Sequence, residues 1–282
     1  MTEPTASPSY VVIGNPIAHS KSPQIHALFA AQFAGNPALA GFCYDRLLAP
    51  VDGFAASVAQ FAASGGRGAN VTVPFKEDAF RLANLLTARA QAAGAVNTLQ
   101  LQADDSWLGD NTDGAGLVAD VLRHVEIRGR RILLLGAGGA ARGVILPLLA
   151  QQPASLTLAN RTLSRASQLV EHFQANTTIL LQACEYGAIA GQFDLIINAT
   201  SASLGGERLP ISNSVFAPGA LAYDMMYGKD ETPFLAQARE AGVVLRVDGL
   251  GMLVGQAAEA FHLWTELRPD VEPVLVWMRE QL

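Results

Sequence analysis

The 282-residue chain has only two cysteines, Cys43 and Cys184, far apart and with no metal-ligand spacing around either. A disulfide framework and a cysteine-built metal site are excluded, and reduced thiols in a cytoplasmic protein are the expectation. Cationic residues are also scarce: 19 Lys and Arg stand against 25 Asp and Glu, a net charge of −6. That balance does not suit nucleic acid, whose backbone is bound by basic surface. The one basic cluster, Arg123, Arg128, Arg130 and Arg131, reads as a solvated face. No apolar run reaches the ~20 residues needed to span a bilayer. The first ten residues lack the basic and apolar regions of a signal peptide and read as a short disordered lead. No internal repeat or low-complexity linker interrupts the chain. Apolar residues, in contrast, make up half of it, enough for one large or two ordinary domains.

Residues 132–135 form an all-apolar run, the pattern of a parallel strand buried on both faces. The run breaks at Gly136. Ala137, Gly138, Gly139, Ala140 and Ala141 then lead into an apolar helix expected to begin near Arg142. Such a strand, glycine turn and helix start let main-chain amides approach a pyrophosphate, aided by the helix dipole. The fingerprint is G-x-G-x-x-A, in the context that a dinucleotide site requires.

The strand expected over residues 156–159 ends at Asn160-Arg161-Thr162-Leu163-Ser164-Arg165. An NAD site places a carboxylate near this point for the ribose 2′-hydroxyl, whereas an arginine suits a 2′-phosphate. Here there is no carboxylate. Arg161 and Arg165 also stand at a helix start, where cations oppose the dipole, so a bound phosphate explains them better than surface chance. The cofactor expected is NADP(H). Further strands are expected over 193–197, 220–224 and 243–247, the last running into Asp248-Gly249-Leu250-Gly251. Val254, Ala257, Ala258, Phe261 and Trp264 form a core stripe on the next helix, with Gln256 off it. A short final helix opens at Glu272-Pro273.

Before the glycine turn, residues 10–13 read as a first strand, and Ser22-Pro23 reads as the N-cap and first residue of a helix. A strand over 42–47 and a helix over 51–63 follow. Gly65–Gly68 reads as a turn into a strand over 69–73, whose polar Asn70 and Thr72 share one side. Polar side chains on a buried strand cost free energy unless paired. Lys76 then opens a helix beyond that strand's carboxyl end, where open α/β sheets bind ligands; in that context alone, it reads as a solvated lysine pairing with Glu77 or Asp78. Residues 94–99 and 107–109 suggest a hairpin. Asp113-Gly114 leads into a further helix near the expected domain crossing, Asp110 reads as an ordinary structural residue, and His19 and His26 have no companion ligands.

Taken in order and spacing, these pieces resemble the shikimate dehydrogenase family over nearly the whole chain. The resemblance is carried by residues 14–23 (GNPIAHSKSP), 68–76 (GANVTVPFK), 94–99, 109–114 (GDNTDG), 136–140, 160–165, 223–227 and 248–256. It implies two α/β domains: an N-terminal substrate domain with a mostly parallel sheet, residues 1–112 with C-terminal helices 250–282 returning to it, and a Rossmann-type NADP domain, 113–249. It implies Lys76 and Asp113 as the catalytic pair. Ser20 and Ser22 would hold a substrate carboxylate, and Thr72, Asn97, Asp113, Tyr227 and Gln256 would bind the rest of the substrate. Gly136, Ala137, Gly138, Gly139 and Ala140 would take the pyrophosphate, and Asn160, Arg161, Thr162, Leu163, Ser164 and Arg165 the adenosine phosphate. Met225 and Gly249 would lie beside the nicotinamide. The substrate implied is shikimate or 3-dehydroshikimate, with no metal, no nucleic acid or membrane partner, and a monomer or homodimer. Two alternatives stay open: a quinate/shikimate dehydrogenase using NAD, and a non-catalytic nucleotide- or quinate-binding regulator. The Met225-Met226 pair and the 204–208 loop depart from the family pattern, and the loop has no assigned role.

Overall fold

The computed structural model describes residues 9–39, 42–175 and 177–282. The polar lead expected at the N-terminus lies, through residue 8, outside them. The chain divides into two compact units: Met1–Thr112 with Gln256–Met278, and Asp113–Gly255 with Arg279–Leu282.

The first unit is built on β1 (Ser9–Gly14), β2 (Cys43–Leu48), β3 (Gly66–Val71), β4 (Leu85–Leu86), β5 (Thr98–Leu101) and β6 (Trp107–Asp110), in the order β2-β1-β3-β5-β6-β4. β1 runs parallel to β2 and β3, and β4 to β6; β5 is antiparallel to both neighbours. Helices α1 (Ser22–Ala31), α2 (Phe54–Ala63), α3 (Lys76–Leu82) and α4 (Ala88–Ala93) complete this part. Val11, Ile13, Phe54, Val58, Val71 and Phe75 are buried between sheet and helices, each apolar set following the period of its element.

The second unit contains α5 (Asp113–Leu122), β7 (Arg131–Leu135), α6 (Gly139–Ala150), β8 (Ser155–Ala159), α7 (Leu163–Gln174), β9 (Leu180–Cys184), β10 (Phe193–Asn198), β11 (Phe216–Asp224), α8 (Pro233–Glu240) and β12 (Leu245–Val247). All its strands are parallel, in the order β12-β11-β10-β7-β8-β9. This is the doubly wound dinucleotide order, with its reversal between β7 and β10. Ile132, Leu133, Leu134 and Leu135 are fully buried because both faces of the central strand are covered. α9 (Leu250–Thr265) takes the chain back to the first unit, the division falling between Gly255 and Gln256, and α10 (Glu272–Glu280) follows.

Several expectations shift. Gly66–Gly68 belongs to β3 rather than to a turn, and the strand ends at Val71. The reason lies at Gly68, where a Cβ would meet the Trp264 indole at 2.5 Å: the glycine is there for the ring. Ser22 is the first helical residue and not the cap. Lys21 holds the cap position in helical conformation, and no side chain caps the helix. α6 begins at Gly139, three residues earlier than expected. Of the basic cluster, Arg131 pairs with Asp194 at 2.7 Å and Arg123 with the buried Asp120 at 2.9 Å, so these two are engaged rather than merely solvated. Neither β9 nor α8 was expected, since Leu180–Cys184 alternates weakly and α8 is only eight residues long, with Gln, Arg and Glu among them.

Candidate active site

In the first unit, the functional side chains leave the carboxyl ends of β1 and β3 and the segment hydrogen-bonded to them. Both chain turns there contain cis peptide bonds, Asn15-Pro16 and Val73-Pro74. The Asn15 N–H donates to the Val73 carbonyl at 3.1 Å and the Thr72 N–H to Ile13 at 2.9 Å, so the two turns are laced together. Ser20 and Ser22 lie with hydroxyl oxygens 3.3 Å apart at the start of α1. Lys76 is the first residue of α3, its carbonyl accepting from Val96 N–H at 2.9 Å; the next two residues, Glu77 and Asp78, pair with Arg81. Asn97 follows, its carbonyl accepting from Val71 N–H at 2.7 Å.

Asn97 is 3 % exposed and its amide orientation is fixed. Its Oδ1 accepts from the Thr112 N–H at 2.8 Å and the Thr98 hydroxyl at 2.9 Å, so Nδ2 is the group pointing the other way. Nδ2 donates to Thr112 Oγ1 at 3.0 Å and reaches Gln256 Oε1 at 3.4 Å. Asn97, Thr112 and Gln256 thus meet, although 159 residues separate the first from the last.

Behind them is a buried polar chain. Asn70 Oδ1 accepts from the Tyr44 hydroxyl at 2.6 Å and lies 3.2 Å from His26 Nε2, while Asn70 Nδ2 donates to Thr98 Oγ1 at 3.2 Å. His26 is fully buried, stacked 4.1 Å from the Tyr44 ring and among Phe29, Phe261 and Trp264. Burial holds its imidazole neutral, lowering its pKa to about 3 against the partial opposition of the Asn70 hydrogen bond. Burial likewise raises the Tyr44 phenol, which the Ser22 hydroxyl partly offsets by hydrogen bonding to it. Two residues further along β2, Arg46 donates through Nε (3.1 Å) and Nη2 (2.5 Å) to the Ser20 carbonyl. Tyr44 and Arg46 were not singled out from the sequence. The signal was there in β2's alternation, with Tyr44 and Arg46 half-buried and Cys43 and Asp45 exposed.

Asp110, given no special role from the sequence, is 1 % exposed. It accepts from Thr87 Oγ1 at 2.6 Å, Arg89 Nε at 2.7 Å, Arg89 Nη2 at 2.5 Å and the Asn111 N–H at 2.7 Å. Burial alone would raise its pKa. The hydrogen bonds and charge of Arg89, with Thr87 and Asn111, outweigh burial and bring it below the ordinary value. Asp113 follows two residues after Asn111, as the first residue of α5 and of the second unit.

In the second unit, the glycine turn lies at the sheet's reversal. Gly136 has φ +107°, a conformation that disfavours other residues, and a Cβ there would meet Thr200 Cγ2 at 2.9 Å. At Gly138 and Gly139 a Cβ would meet nothing within 4 Å, so a ligand can approach the main chain. No side chain caps α6 at Gly138, leaving its first amides for an anion. One strand over, residues 161–165 are exposed at the start of α7, and Arg161 and Arg165 have no carboxylate partner among the described residues. The open turn and these cations fit a dinucleotide with an additional phosphate.

The remaining strand ends are tied by side chains. Asn198 Nδ2 donates to Asp224 Oδ1 at 3.0 Å, Thr232 donates to Asp224 Oδ2 at 2.6 Å, and the Met225 N–H donates to the Asn198 carbonyl at 3.0 Å. Gly249 N–H donates to Met226 O at 3.0 Å, and Gly249 lies so close to the Met225 carbonyl that no Cβ fits. Met225 and Gly249 are therefore neighbours. Tyr227 is 36 % exposed, its phenol pKa raised by burial and by the Asp248 charge. Asp248 is itself paired to Arg279 at 2.6 Å. Among the described residues, no group of three or more His, Cys, Asp or Glu is placed to hold a metal ion, and no helix is long and apolar enough to cross a membrane.

Three family models match the chain: the shikimate dehydrogenase substrate binding domain over residues 12–99, shikimate/quinate 5-dehydrogenase over 118–205, and the shikimate 5′-dehydrogenase C-terminal domain over 249–275. A shikimate dehydrogenase (NADP(+)) of Janthinobacterium sp. (strain Marseille) is 55 % identical over 280 residues, 99 % of each chain. Among solved structures, an Ael1 enzyme from Pseudomonas putida superposes with a TM-score of 0.89 at 43 % identity, covering 96 % of this chain and 98 % of that one. The shikimate 5-dehydrogenase of Thermus thermophilus, in complex with NADP(H) and shikimate, gives 0.80 at 31 % identity, covering 98 % and 100 %.

Proposed function

Because the chain belongs to the shikimate dehydrogenase family, we propose that its two units divide the work of one reaction, the first holding substrate and the second the dinucleotide. The protein is an NADP-dependent oxidoreductase acting on a CH–OH group, interconverting 3-dehydroshikimate and shikimate in chorismate and aromatic amino acid biosynthesis. When bound, the dinucleotide supplies hydride in one direction and accepts it in the other.

The substrate's carboxylate is held by the Ser20 and Ser22 hydroxyls, backed by the Arg46 hold on the Ser20 carbonyl. Thr72, Asn97, Tyr227 and Gln256 take its remaining oxygens. Asn97 does so as a donor, since its Oδ1 is already committed to the Thr112 N–H. A ketone that gains hydride becomes an alkoxide and needs a proton. Lys76 Nζ gives that proton and removes it in the oxidative direction. Asp113 orients the lysine and the reacting hydroxyl. Main-chain amides of Gly136, Ala137, Gly138, Gly139 and Ala140 would receive the pyrophosphate, Asn160, Arg161, Thr162, Leu163, Ser164 and Arg165 would hold the 2′-phosphate, and Met225 and Gly249 would lie beside the nicotinamide.

What supports this reading above all is the convergence of Ser20, Ser22, Thr72, Lys76 and Asn97 at one end of the first sheet, where such sheets bind ligands. The reading extends to a cytoplasmic location, supported by two free cysteines, and to a monomer or homodimer, which sedimentation distinguishes. Initial rates with shikimate or quinate against NADP⁺ or NAD⁺ test it. Shikimate with NADP⁺ is expected to dominate all four combinations, and a preference for NAD⁺ or for quinate would overturn the assignment.

A further inference from the structure

Arg89 lies in the first turn of α4, where a cation opposes the helix dipole, so the helix itself gives no reason for it. Its guanidinium instead joins two carboxylates. Nε and Nη2 hold the buried Asp110 at 2.7 and 2.5 Å, and Nη1 lies 3.5 Å from Glu259 Oε2 on α9. Glu259 also accepts from Arg268 at 2.8 Å.

Each carboxylate carries a different part of the substrate-facing set. On one side, Asp110 begins the segment Asp110-Asn111-Thr112: its own carbonyl accepts from the Asn97 N–H at 3.0 Å, and Thr112 fixes the Asn97 amide. Asn111 Nδ2 ties the same segment to the Ala95 carbonyl at 3.1 Å. On the other side, Glu259 is three residues beyond Gln256, so the two share a helix face. The planar fork of one arginine therefore spans the Asn97 segment and the Gln256 helix, whose amides come within 3.4 Å.

We propose that Arg89 is a positioning residue for substrate binding, setting the separation of Asn97 and Gln256 through Asp110 and Glu259. The inference rests on the reading of Asn97 and Gln256 as substrate contacts. A lysine keeps the charge but cannot serve both carboxylates with one rigid fork.

The test compares Arg89→Lys, Glu259→Gln, Gln256→Ala and the double variant Arg89→Lys/Gln256→Ala, measuring kcat and KM for shikimate and NADP⁺ together with Tm. Arg89→Lys is expected to raise KM for shikimate about tenfold, the scale of a small misplacement in a binding set, while leaving KM for NADP⁺ unchanged. Glu259→Gln, which leaves Asp110 paired, shifts KM for shikimate in the same direction by less. In the double variant the two effects combine to less than their product, because Arg89 acts through Gln256. An unchanged shikimate KM in a folded Arg89→Lys enzyme overturns the proposal, as do fully multiplicative effects. Should Arg89→Lys fail to fold, Glu259→Gln decides alone, and an unchanged shikimate KM there overturns it. Gln256→Ala separates the two levels: if it leaves shikimate KM untouched, the reading of Gln256 as a contact fails, whereas a raised KM beside an inert Arg89→Lys removes only the role of Arg89.

Discussion

The two units build their binding edges from different materials. In the second, the central turn is main chain, an open glycine turn with uncapped helix amides, while Asn198, Asp224 and Thr232 tie the neighbouring strand ends. In the first, it is an interlocked set of side chains, in which Asn70, Asn97, Thr98 and Thr112 each satisfy one another while Arg89 and Asp110 brace the loop. A main-chain turn of this kind has no titrating parts and depends on the absence of side chains. An edge made of side chains depends on every partner being present, and its buried polar members are costly when one is lost. The contrast predicts that the units fail in different ways.

The largest difference is expected with acid. His26, with a pKa of about 3 in the folded protein against about 6.5 unfolded, binds a proton only when unfolded between these values. Stability from this group is therefore complete above pH 6.5 and declines as pH falls toward 3, by about 5 kcal/mol across the window. All three tryptophans, Trp107, Trp264 and Trp277, belong to the first unit, so their fluorescence follows its unfolding. Urea midpoints should drop between pH 7 and pH 5 in the wild type and much less in His26→Leu; equal slopes in both would remove His26 as the cause.

Lys76→Ala comes next. A loss of roughly 10²–10⁴ in kcat is expected, with KM for NADP⁺ unaltered. Near-normal turnover would show that the proton moves by another route. The counterpart in the second unit is Gly138→Ala, where the new methyl meets no protein atom. Tm should stay put while KM for NADP⁺ rises about tenfold, a loss of about 1.4 kcal/mol. Gly249→Ala sharpens the point, because its methyl meets the Met225 carbonyl and should lower Tm as well. If Gly138→Ala binds NADP⁺ normally, the pyrophosphate does not approach that amide. The smallest effect belongs to Arg161→Ala. As an exposed contact it is expected to be worth about 1 kcal/mol, roughly fivefold in KM for NADP⁺, narrowing the preference over NAD⁺ without touching KM for shikimate.

The same contrast explains what could be read before folding. A main-chain edge is written locally: Gly136, Gly138 and the cations of residues 160–165 lie within thirty positions, and the strand, turn and helix around them follow from their order. The doubly wound sheet came with it. The proposal of Lys76 and Asp113 as a pair rests on a resemblance, since neither residue type is diagnostic alone. Arg89, Asp110, Tyr44 and Arg46 escaped because their roles depend on partners 21 to 26 residues away across other strands. Asp110 is instructive. Nothing in its neighbourhood marks it as buried, and the approach of Arg89 from α4, with Thr87 and the Asn111 N–H, makes a buried carboxylate tolerable. Ser22 errs the other way, with a strong local capping pattern overridden by the geometry of the preceding turn.

Trp264 stands over Gly68 and donates its indole N–H to the Leu99 carbonyl at 3.0 Å, with Tyr10 stacked 4.8 Å away. The ring that closes the first sheet is thus supplied after residues 113–255 have been made. During synthesis the second unit has its whole parallel sheet before the first has its last wall. The second unit's sheet can therefore form on the nascent chain while the first still waits for α9.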